Sequence, residues 1–363
     1  MFTALHYEQP LFLLDYEPCR AAFLAACSAV ERYPSEARRW LLDPQPDVAG
    51  LSCDAAWFGA RDVDTVVVLI SGTHGVEGYC GSAIQRAVLT GLRTGSIKLP
   101  DRLALLFVHA LNPWGMYWAR RCDQDGIDLN RNFVDFSRAL PAAGADYERV
   151  LACLENASPA ARWPALNALI GEWGQAHFDT VFSGGQYQRA WAPFFGGNKV
   201  SFSRSCIEAV SAHWRLAERE LIVLDLHTGL GPWAFGELIS DHPADSRANQ
   251  YARDKFGPAV AITAQGESFS VAKHGLMDYY WHTMMQERGC YLTLEFGSYG
   301  TQALFDVLIK EHLFWRSAHA EDLEEPSYAA IRADMLRHFC PDDSLWQEAA
   351  LFKTWQVLER ILS

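Results

Sequence analysis

One short stretch of the chain limits its fold more than any other. Residues 66–70 form the unbroken apolar run V-V-V-L-I, and the glycine-rich segment S-G-T-H-G-V-E-G follows at 71–78. Such a run is typical of a strand buried on both faces of a parallel sheet. Open α/β sheets form their ligand sites at the carboxyl ends of these strands. His74 and Glu77 are therefore predicted to lie at such an edge, where flexible glycines allow both side chains to converge on one metal ion.

The same pattern recurs along the chain and predicts an α/β fold. We expect strands at 64–70, 103–108, 221–226, about 259–263 and 290–296, and helices at 16–32, 80–90 and about 345–361. Strand–helix–strand order with right-handed crossovers implies a mixed, mostly parallel twisted sheet with helices on both faces. Residues 42–54 contain two prolines and a glycine and are predicted to form a loop.

The middle of the chain is predicted to elaborate this fold. Residues 134–220 combine short helical patterns with the segment S-G-G-Q-Y-Q-R-A-W-A-P-F-F-G-G. We expect them to lie over the sheet, within a single catalytic domain that spans residues 1–363.

The last helix carries a start signal and an apolar stripe. Ser344 and Gln347 match the capping-box pattern. Helical spacing predicts that one face is buried. The predicted buried residues are Leu345, Ala349, Phe352, Trp355 and Leu358.

Composition excludes several classes of protein. Half of the 363 residues are apolar, and the formal charge of −13 argues against binding to nucleic acid or to an anionic membrane. No apolar run of about 18 residues predicts a membrane span. The amino-terminal segment lacks the features of a secretory signal, and the nine cysteines form no C-x-x-C motif. We therefore expect a cytoplasmic protein with reduced thiols.

A third candidate ligand follows another predicted core strand. His227 comes directly after 221–226 and has glycines behind it. With His74 and Glu77 it makes a His₂Glu set, which is typical of catalytic zinc with one open position. We expect one zinc ion per chain; another metal, or a second ion near His109, stays open. Asp225 is predicted to accept the second ring N–H of a ligand.

Two further groups point to catalysis or to ion pairing. Glu295 lies inside an apolar strand, where a carboxylate is costly without a partner or a task. It is either half of a buried ion pair or a general base that faces a zinc-bound water. Arg120, Arg121 and Arg131 lie near Asn130 in the segment 112–133. They indicate either anion recognition or structural salt bridges.

Four separated elements together resemble the zinc carboxypeptidases of the carboxypeptidase A type, in a divergent, bacterial-like branch. They are H-G-V-E at 74–77, N-P-x-G…R…D-L-N-R-N-F within 112–133, a histidine after a strand, and a glutamate in a late strand. The aspartoacylase and succinylglutamate desuccinylase group shares these elements. One feature departs from the carboxypeptidase pattern, because S-F-S-V-A-K-H-G at 268–275 lacks the mobile tyrosine expected about twenty residues before the glutamate. Neither Tyr279 nor Tyr280 can be assigned to that role.

The resemblance implies a role for each candidate residue. Zinc would be bound by His74, Glu77 and His227. Arg121, or Arg120 in its place, would polarise the scissile carbonyl, and Asn130 and Arg131 would hold the terminal carboxylate of the substrate. Glu295 would act as general base and then as general acid.

The sequence therefore predicts a zinc-dependent hydrolase of the metallocarboxypeptidase type. Its substrate would be a small peptide, cleaved at an amide bond. The alternatives are a deacylase of N-acyl amino acids and a non-catalytic binding protein on the same fold. A serine hydrolase is disfavoured, because no G-x-S-x-G motif occurs.

Overall fold

Eight strands form one mixed sheet in the computed structural model, which describes residues 10–156, 158–318, 322–323 and 326–363. The strands are β1 (Ser35–Leu41), β2 (Ser52–Phe58), β3 (Thr65–Ser71), β4 (Leu103–His109), β5 (Glu220–Thr228), β6 (Gly236–Ser240), β7 (Val260–Ile262) and β8 (Gly289–Phe296). Their order is β1-β2-β4-β3-β5-β8-β6-β7. Neighbouring strands from β4 through β3 and β5 to β8 are parallel, as are β6 and β7, and the other pairs are antiparallel. The predicted mixed, mostly parallel sheet is confirmed.

Helices cover both faces of this sheet, as predicted. They are α1 (Tyr16–Ser28), α2 (Gly78–Thr94), α3 (Pro113–Tyr117), α4 (Ala145–Asn156), α5 (Pro159–Trp173), α6 (Gln175–Ser183), α7 (Phe202–His213), α8 (Arg247–Phe256), α9 (Met277–Met285), α10 (Thr301–Ser317), α11 (Pro326–Phe339) and α12 (Ser344–Leu362). Alternate residues of β3 point to opposite faces, since side chains alternate along a strand. Val67 and Leu69 pack in the core with α1, α2 and α12, whereas Val66 and Val68 pack with α7 and α9.

The segment 134–220 contributes helices to both faces. Helix α7 packs through Ile207 and Val210 in the same core as Val66. Helices α4 to α6 belong to the other core, where Phe182 of α6 contacts Phe305 of α10 at a ring distance of 4.8 Å. That the whole chain is one catalytic domain stays a prediction.

Three strands were not predicted from the sequence. β1 is mostly polar and exposed, β6 has only five residues, and β2 begins inside the predicted loop 42–54. The predicted loop is therefore wrong at its carboxyl end, because the chain enters a fully buried strand at Ser52.

The predicted buried stripe of α12 is confirmed at Leu358 and wrong at Leu345 and Phe352. Leu345 and Phe352 are 71% and 61% exposed, whereas the buried positions include Trp346, Ala350 and Val357. The indole of Trp346 donates a hydrogen bond to the carbonyl of Gly297 at 2.8 Å, which turns that face inward. The helix is capped by Asp343, not by the predicted capping box that begins at Ser344, and the Asp343 side chain accepts from the N–H of Trp346.

No helix among the described residues is both long and apolar enough to cross a bilayer. The prediction that no secretory signal is present concerns mainly residues 1–9, which lie outside the described residues. The carboxyl ends of β3, β5 and β8 lie side by side, and the candidate site is built there.

Candidate metal centre

The turn after β3 is held by backbone contacts with the loop after β4. The N–H of Asn112 donates to the carbonyl of Gly72 at 2.8 Å, and the N–H of Val76 donates to the carbonyl of Arg120 at 2.8 Å. Gly72 has a φ of +73°, and a Cβ on Gly75 would lie 2.0 Å from the carbonyl carbon of Gly115. The glycines of this turn are therefore required by a left-handed backbone at one position and by close backbone packing at the other.

This turn and β5 bring three ligand-type side chains to one point. The Nδ1 atoms of His74 and His227 lie 2.8 and 2.9 Å from the two carboxylate oxygens of Glu77. The two Nδ1 atoms are 3.1 Å apart, and all three side chains are buried. In the described part of the chain, this is the one group of three or more His, Cys, Asp or Glu residues whose donor atoms lie within 4.8 Å of one another.

A carboxylate behind each imidazole orients its ring. Nε2 of His74 lies 3.1 Å from Asp128, and Nε2 of His227 lies 2.7 Å from Asp225. Asp225 therefore accepts from a ligand-type histidine, as the sequence predicts, and it also accepts from the hydroxyl of Tyr291 at 2.7 Å. If each Nε2 carries the donated proton, both Nδ1 lone pairs face the same point. Such lone pairs repel unless a cation lies between them, so the donor set fits a metal ion.

The electrostatics of the cluster also favour positive charge at this point. Burial alone would raise the pKa of the Glu77 carboxyl, but the imidazoles of His74 and His227 hold it below its usual range. Burial alone would lower the pKa of His227, but the carboxylates of Asp225 and Glu77 raise it well above the ordinary value. A dication can supply the charge that these carboxylates attract, and two imidazoles with one carboxylate form a set that zinc commonly accepts.

The candidate for a second ion lies elsewhere. His109 stacks on Phe23 at a ring distance of 4.3 Å, and its Nε2 contacts the hydroxyl of Ser82 at 3.0 Å. Burial lowers the pKa of His109 to about 3. It is a neutral imidazole in the core and is not part of the metal cluster.

Glu295 faces the cluster from the neighbouring strand. Its Cα pairs with that of His227 in the parallel register of β5 and β8. One carboxylate oxygen accepts from the N–H of Leu230 at 2.9 Å, and no cation in the described part of the chain lies within 4.0 Å of it. The ion-pair alternative for Glu295 is therefore wrong. Burial and the Glu77 carboxylate raise its pKa, whereas a nearby dication would lower it.

Arg121 is buried beside the same cluster. Its Nη1 donates to Glu77 at 3.2 Å, and its Nε donates to Asp128 at 2.9 Å. Burial alone would lower the pKa of Arg121, but Asp128 and Glu77 raise it. The second terminal nitrogen, Nη2, makes no hydrogen bond with the described residues, and the side chain lines the cleft. That nitrogen is the part of Arg121 available to a substrate oxygen.

Arg120 has a different environment, although it is the next residue. Its guanidinium forms a buried ion pair with Glu311 of α10 and lies over the ring of Trp315 at 4.4 Å. It does not line the cleft that contains the cluster. The prediction that Arg120 contacts substrate is not supported by this placement, because its charge is already matched inside the protein.

Asn130 and Arg131 lie together at another part of the cleft. All hydrogen bonds of the Arg131 guanidinium go to neutral groups, with Nη2 2.7 Å from the carbonyl of Ser183 and Nη1 2.5 Å from that of Asn130. No carboxylate in the described residues lies within 4.0 Å of it, and burial lowers the pKa of Arg131. The Asn130 side-chain oxygen accepts from the N–H of Met277, which leaves its NH₂ as a donor. Both side chains suit an incoming carboxylate.

Three charged residues of the cleft were not predicted from the sequence: Lys273, Asp241, and Asp179 of α6. Lys273 donates to the hydroxyl of Ser270 and, at 2.8 Å, to the carbonyl of Val271, and it has no ion pair within 4.0 Å among the described residues. Asp241, which follows β6, faces the same cleft. Lys273 lies in the stretch that lacks the expected tyrosine, 22 residues before Glu295. The absence of that tyrosine was the feature of the sequence that could have drawn attention to Lys273. Tyr279 is outside the cleft, and its hydroxyl binds the carbonyl of Lys273.

The cleft that joins these groups encloses about 760 Å³ of space, including open solvent at its mouth. The segment 134–220 contributes Asp179, Ser183 and Phe194 to its wall, and α10 contributes Leu304 and Phe305. One cavity is therefore lined by the three candidate metal ligands, Glu295, Arg121, Asn130 and Arg131.

Comparison with known proteins relates the chain to one family and to several solved structures. A family model described as "Protein of unknown function (DUF2817)" matches residues 12–353, and no curated protein matches the sequence. A succinylglutamate desuccinylase from Chromobacterium violaceum is 16% identical, with 89% of this chain and 74% of that chain covered and a TM-score of 0.39. An aspartoacylase family protein from Mesorhizobium loti is 14% identical, with 78% and 68% covered and a TM-score of 0.38. A carboxypeptidase A from Helicoverpa armigera is 15% identical, with 93% and 74% covered and a TM-score of 0.47.

Proposed function

The chain belongs to the DUF2817 family, and from this premise we propose that it is a zinc-dependent hydrolase of amide bonds whose leaving amine carries a carboxylate. This description includes both carboxypeptidase substrates and N-acyl amino acids. The observation that carries the proposal is the convergence of His74, Glu77 and His227 on one point beside Glu295. The motif resemblance in the sequence supports the same chemistry.

The three ligand residues would hold the ion, and Asp128 and Asp225 would orient the two imidazoles. When bound, zinc supplies Lewis acidity for a water molecule and for a carbonyl oxygen. Glu295 takes a proton from the attacking water at its carboxylate and returns it to the leaving amine. The Leu230 N–H fixes one of its oxygens, so the carboxylate is held in place for both transfers.

Charge that develops on the substrate oxygen needs a donor that is already in place. Arg121 is locked by Glu77 and Asp128, and its Nη2 is the nitrogen without a partner. One such donor stabilises a transition state by about 3–4 kcal/mol. The leaving amine is selected at the other end of the cleft, where Arg131 and the Asn130 amide would bind its carboxylate. Lys273 adds a second positive charge near that end.

The first test is turnover by zinc-loaded protein. A panel of N-acylated amino acids and short peptides is incubated with the enzyme, and the released amine is measured. We expect release from at least one substrate with a free carboxylate next to the scissile amide, and none from its carboxamide analogue. The panel also separates the peptidase from the deacylase.

Two matched variants test the assignment of Glu295. Glu295→Gln should lower kcat by roughly 10²- to 10⁴-fold and keep zinc, because it removes only the proton carrier. Glu237→Gln is the control, since Glu237 pairs with Glu295 across β6 and β8, is equally buried, and does not line the cleft. Near-normal activity of Glu295→Gln would refute the mechanism. Bound zinc without turnover of any substrate would favour a binding protein.

A further inference from the structure

Four large aromatic side chains are exposed on segments that adjoin residues of the cleft, and one of them, Phe269, lines the cleft itself. Trp233, Phe235, Phe269 and Tyr299, here called the aromatic rim, have exposed fractions between 41% and 53%. They form two ring pairs, Trp233 with Tyr299 at 4.9 Å and Phe235 with Phe269 at 6.3 Å. A cluster of exposed apolar side chains on a protein surface commonly marks a binding site.

The rim is built on the segments that directly follow the catalytic strands. Trp233 and Phe235 lie after β5, which carries His227, and Tyr299 lies after β8, which carries Glu295. Backbone hydrogen bonds join the two segments. The N–H of Gly297 donates to the carbonyl of Phe235 at 2.9 Å, and the N–H of Ala234 donates to the carbonyl of Gly297 at 3.0 Å. The rim is therefore held in a fixed relation to the metal cluster.

The rim is also continuous with the interior of the cleft. Phe269 lines the cleft, and it lies at the start of the loop 269–275, which also contributes Ser270, Val271 and Lys273 to the wall. At the other end of this loop, Gly275 lies so close to Arg131 that a Cβ would come within 2.2 Å of the Arg131 carbonyl oxygen. The loop thus runs from the rim to the end of the cleft that holds Arg131.

This layout gives the substrate a direction. If the carboxylate of the leaving amine is at Arg131 and the scissile amide is beside Glu295, the acyl part lies on the other side of Glu295 from Arg131. The segments that follow the strands of His227 and Glu295 carry three of the four rim residues, and the fourth, Phe269, lines the cleft. The aromatic rings offer stacking and apolar contact and carry no charge. The protein has a formal charge of −13, and the rim side chains carry no positive charge. The rim therefore does not favour an anionic acyl group.

We propose that the aromatic rim binds the acyl part of the substrate, and that this part carries an aromatic or extended apolar group. The proposal rests on the proposed function, and it names the acyl specificity that the catalytic groups alone leave open. The substrate class is therefore an N-(aromatic acyl) amino acid, or a peptide with an aromatic residue before the scissile bond.

The test compares two substrates that differ only in their acyl group. They are the acetyl and the 3-phenylpropanoyl derivatives of the amino acid that the wild type releases in the panel. We expect the wild type to prefer the phenylpropanoyl substrate, and Trp233→Ala and Phe269→Ala to lower that preference in kcat/KM by roughly tenfold or more. Leu41→Ala is the control, because Leu41 is an exposed apolar residue on β1, at the other edge of the sheet from β6 and β7.

Three results would overturn the proposal. The first is equal kcat/KM for the two substrates in the wild type, and the second is an equal loss for both substrates in the rim variants. The third is a wild-type dimer in light scattering that the rim variants convert to a monomer, because a second copy would then cover the rim.

The proposal can also be tested if the protein hydrolyses no substrate. Titration calorimetry then compares the binding of N-(3-phenylpropanoyl)glycine and N-acetylglycine to zinc-loaded wild type. Tighter binding of the aromatic ligand that is lost in Trp233→Ala would support the rim while the hydrolase proposal fails. Equal binding of the two ligands would refute the rim as well.

Discussion

Two parts of the cleft differ in how their buried charges are paired. Around the candidate metal ligands, the imidazoles of His74 and His227 and the guanidinium of Arg121 each have carboxylate partners. In another part of the cleft, Arg131 is more deeply buried than Arg121, but its hydrogen-bond partners among the described residues are all carbonyl groups. The hydrogen-bond partners of Lys273 among the described residues are likewise neutral: one hydroxyl and one carbonyl.

The difference separates charges that maintain the structure from charges that await a ligand. A buried ion that is paired in the protein resists removal, because its partner would be left uncompensated. A buried cation with only neutral partners destabilises the free protein through its desolvation, and an anionic ligand can offset this cost. Variants at the two ends should therefore have opposite effects on stability and on substrate binding.

The largest effect is expected at the metal ligands. His74→Ala and His227→Ala each remove one of three donors, so zinc content measured by mass spectrometry should fall from about one ion per chain to a small fraction. Activity should be lost with it. His177→Ala, at an exposed histidine paired with Asp146, is the control and should keep full zinc. Undiminished zinc in both ligand variants would contradict the cluster.

The next largest effect should be on stability, at the internally matched pair of Arg120 and Glu311. Arg120→Met leaves the buried Glu311 carboxylate without its guanidinium and should lower the free energy of unfolding by about 3–5 kcal/mol, measured in urea. Arg149→Met is the control, since its pair with Glu172 is exposed and should contribute little. An equal change in both variants would remove the distinction between matched and surface charges.

This stabilisation has a defined pH dependence. Burial alone would raise the pKa of Glu311, but Arg120 and His312 lower it to about 2. Because the pKa is lower in the folded state, the contribution is fully present above the ordinary range of a glutamate. It should be lost as the pH falls through that range toward 2. Arg120→Met should flatten this part of the stability curve.

Arg131→Met should show the opposite behaviour. Loss of a charge-assisted contact with the substrate carboxylate should raise KM roughly 10- to 100-fold. The urea midpoint should be unchanged or higher, since a buried cation with neutral partners is replaced by an apolar side chain. Arg204→Met is the control, because Arg204 also donates to backbone carbonyls but lies outside the cleft. A large loss of stability without a change in KM would make Arg131 a structural residue.

The smallest effect is expected at Lys273 and should depend on pH. Burial lowers its pKa to about 8, although Asp241 opposes the shift. Its ammonium is therefore present below pH 8 and lost above it, so KM should rise by roughly three- to tenfold as the pH passes through 8. Lys273→Met should have the high KM at every pH. Lys353→Met, outside the cleft, should keep the wild-type profile, and an unchanged profile in Lys273→Met would exclude Lys273 from binding.

The parts of the fold that sequence could predict are those built from local patterns. The strands β3, β5 and β8 were predicted within one or two residues, because each is an apolar run that ends in a polar or glycine-rich turn. Their shared direction then brought His74, Glu77 and His227 to one edge. Ligand-type residues from two separate parts of the chain could be grouped because parallel strands end on the same side of a sheet.

The parts that sequence could not predict depend on neighbours that are distant along the chain. β1 is polar because it lies at the edge of the sheet, where a strand has one partner and much solvent. Helix α12 was predicted, but its buried face depends on which indole reaches Gly297. Apolar residues occur on both faces of that helix, so periodicity alone did not decide which of them are buried.

Arg120 and Arg121 show the limit of what can be predicted from the sequence. By itself the sequence determined the parallel core strands, the glycine turn and the set of candidate metal ligands, since these follow from patterns within a few residues. It could not distinguish two adjacent arginines, which share their local chemistry. Only the tertiary structure placed Glu311 and Trp315 against one, and Glu77 and Asp128 against the other. The role of a charge is decided by the burial and the countercharges that the rest of the fold brings to it.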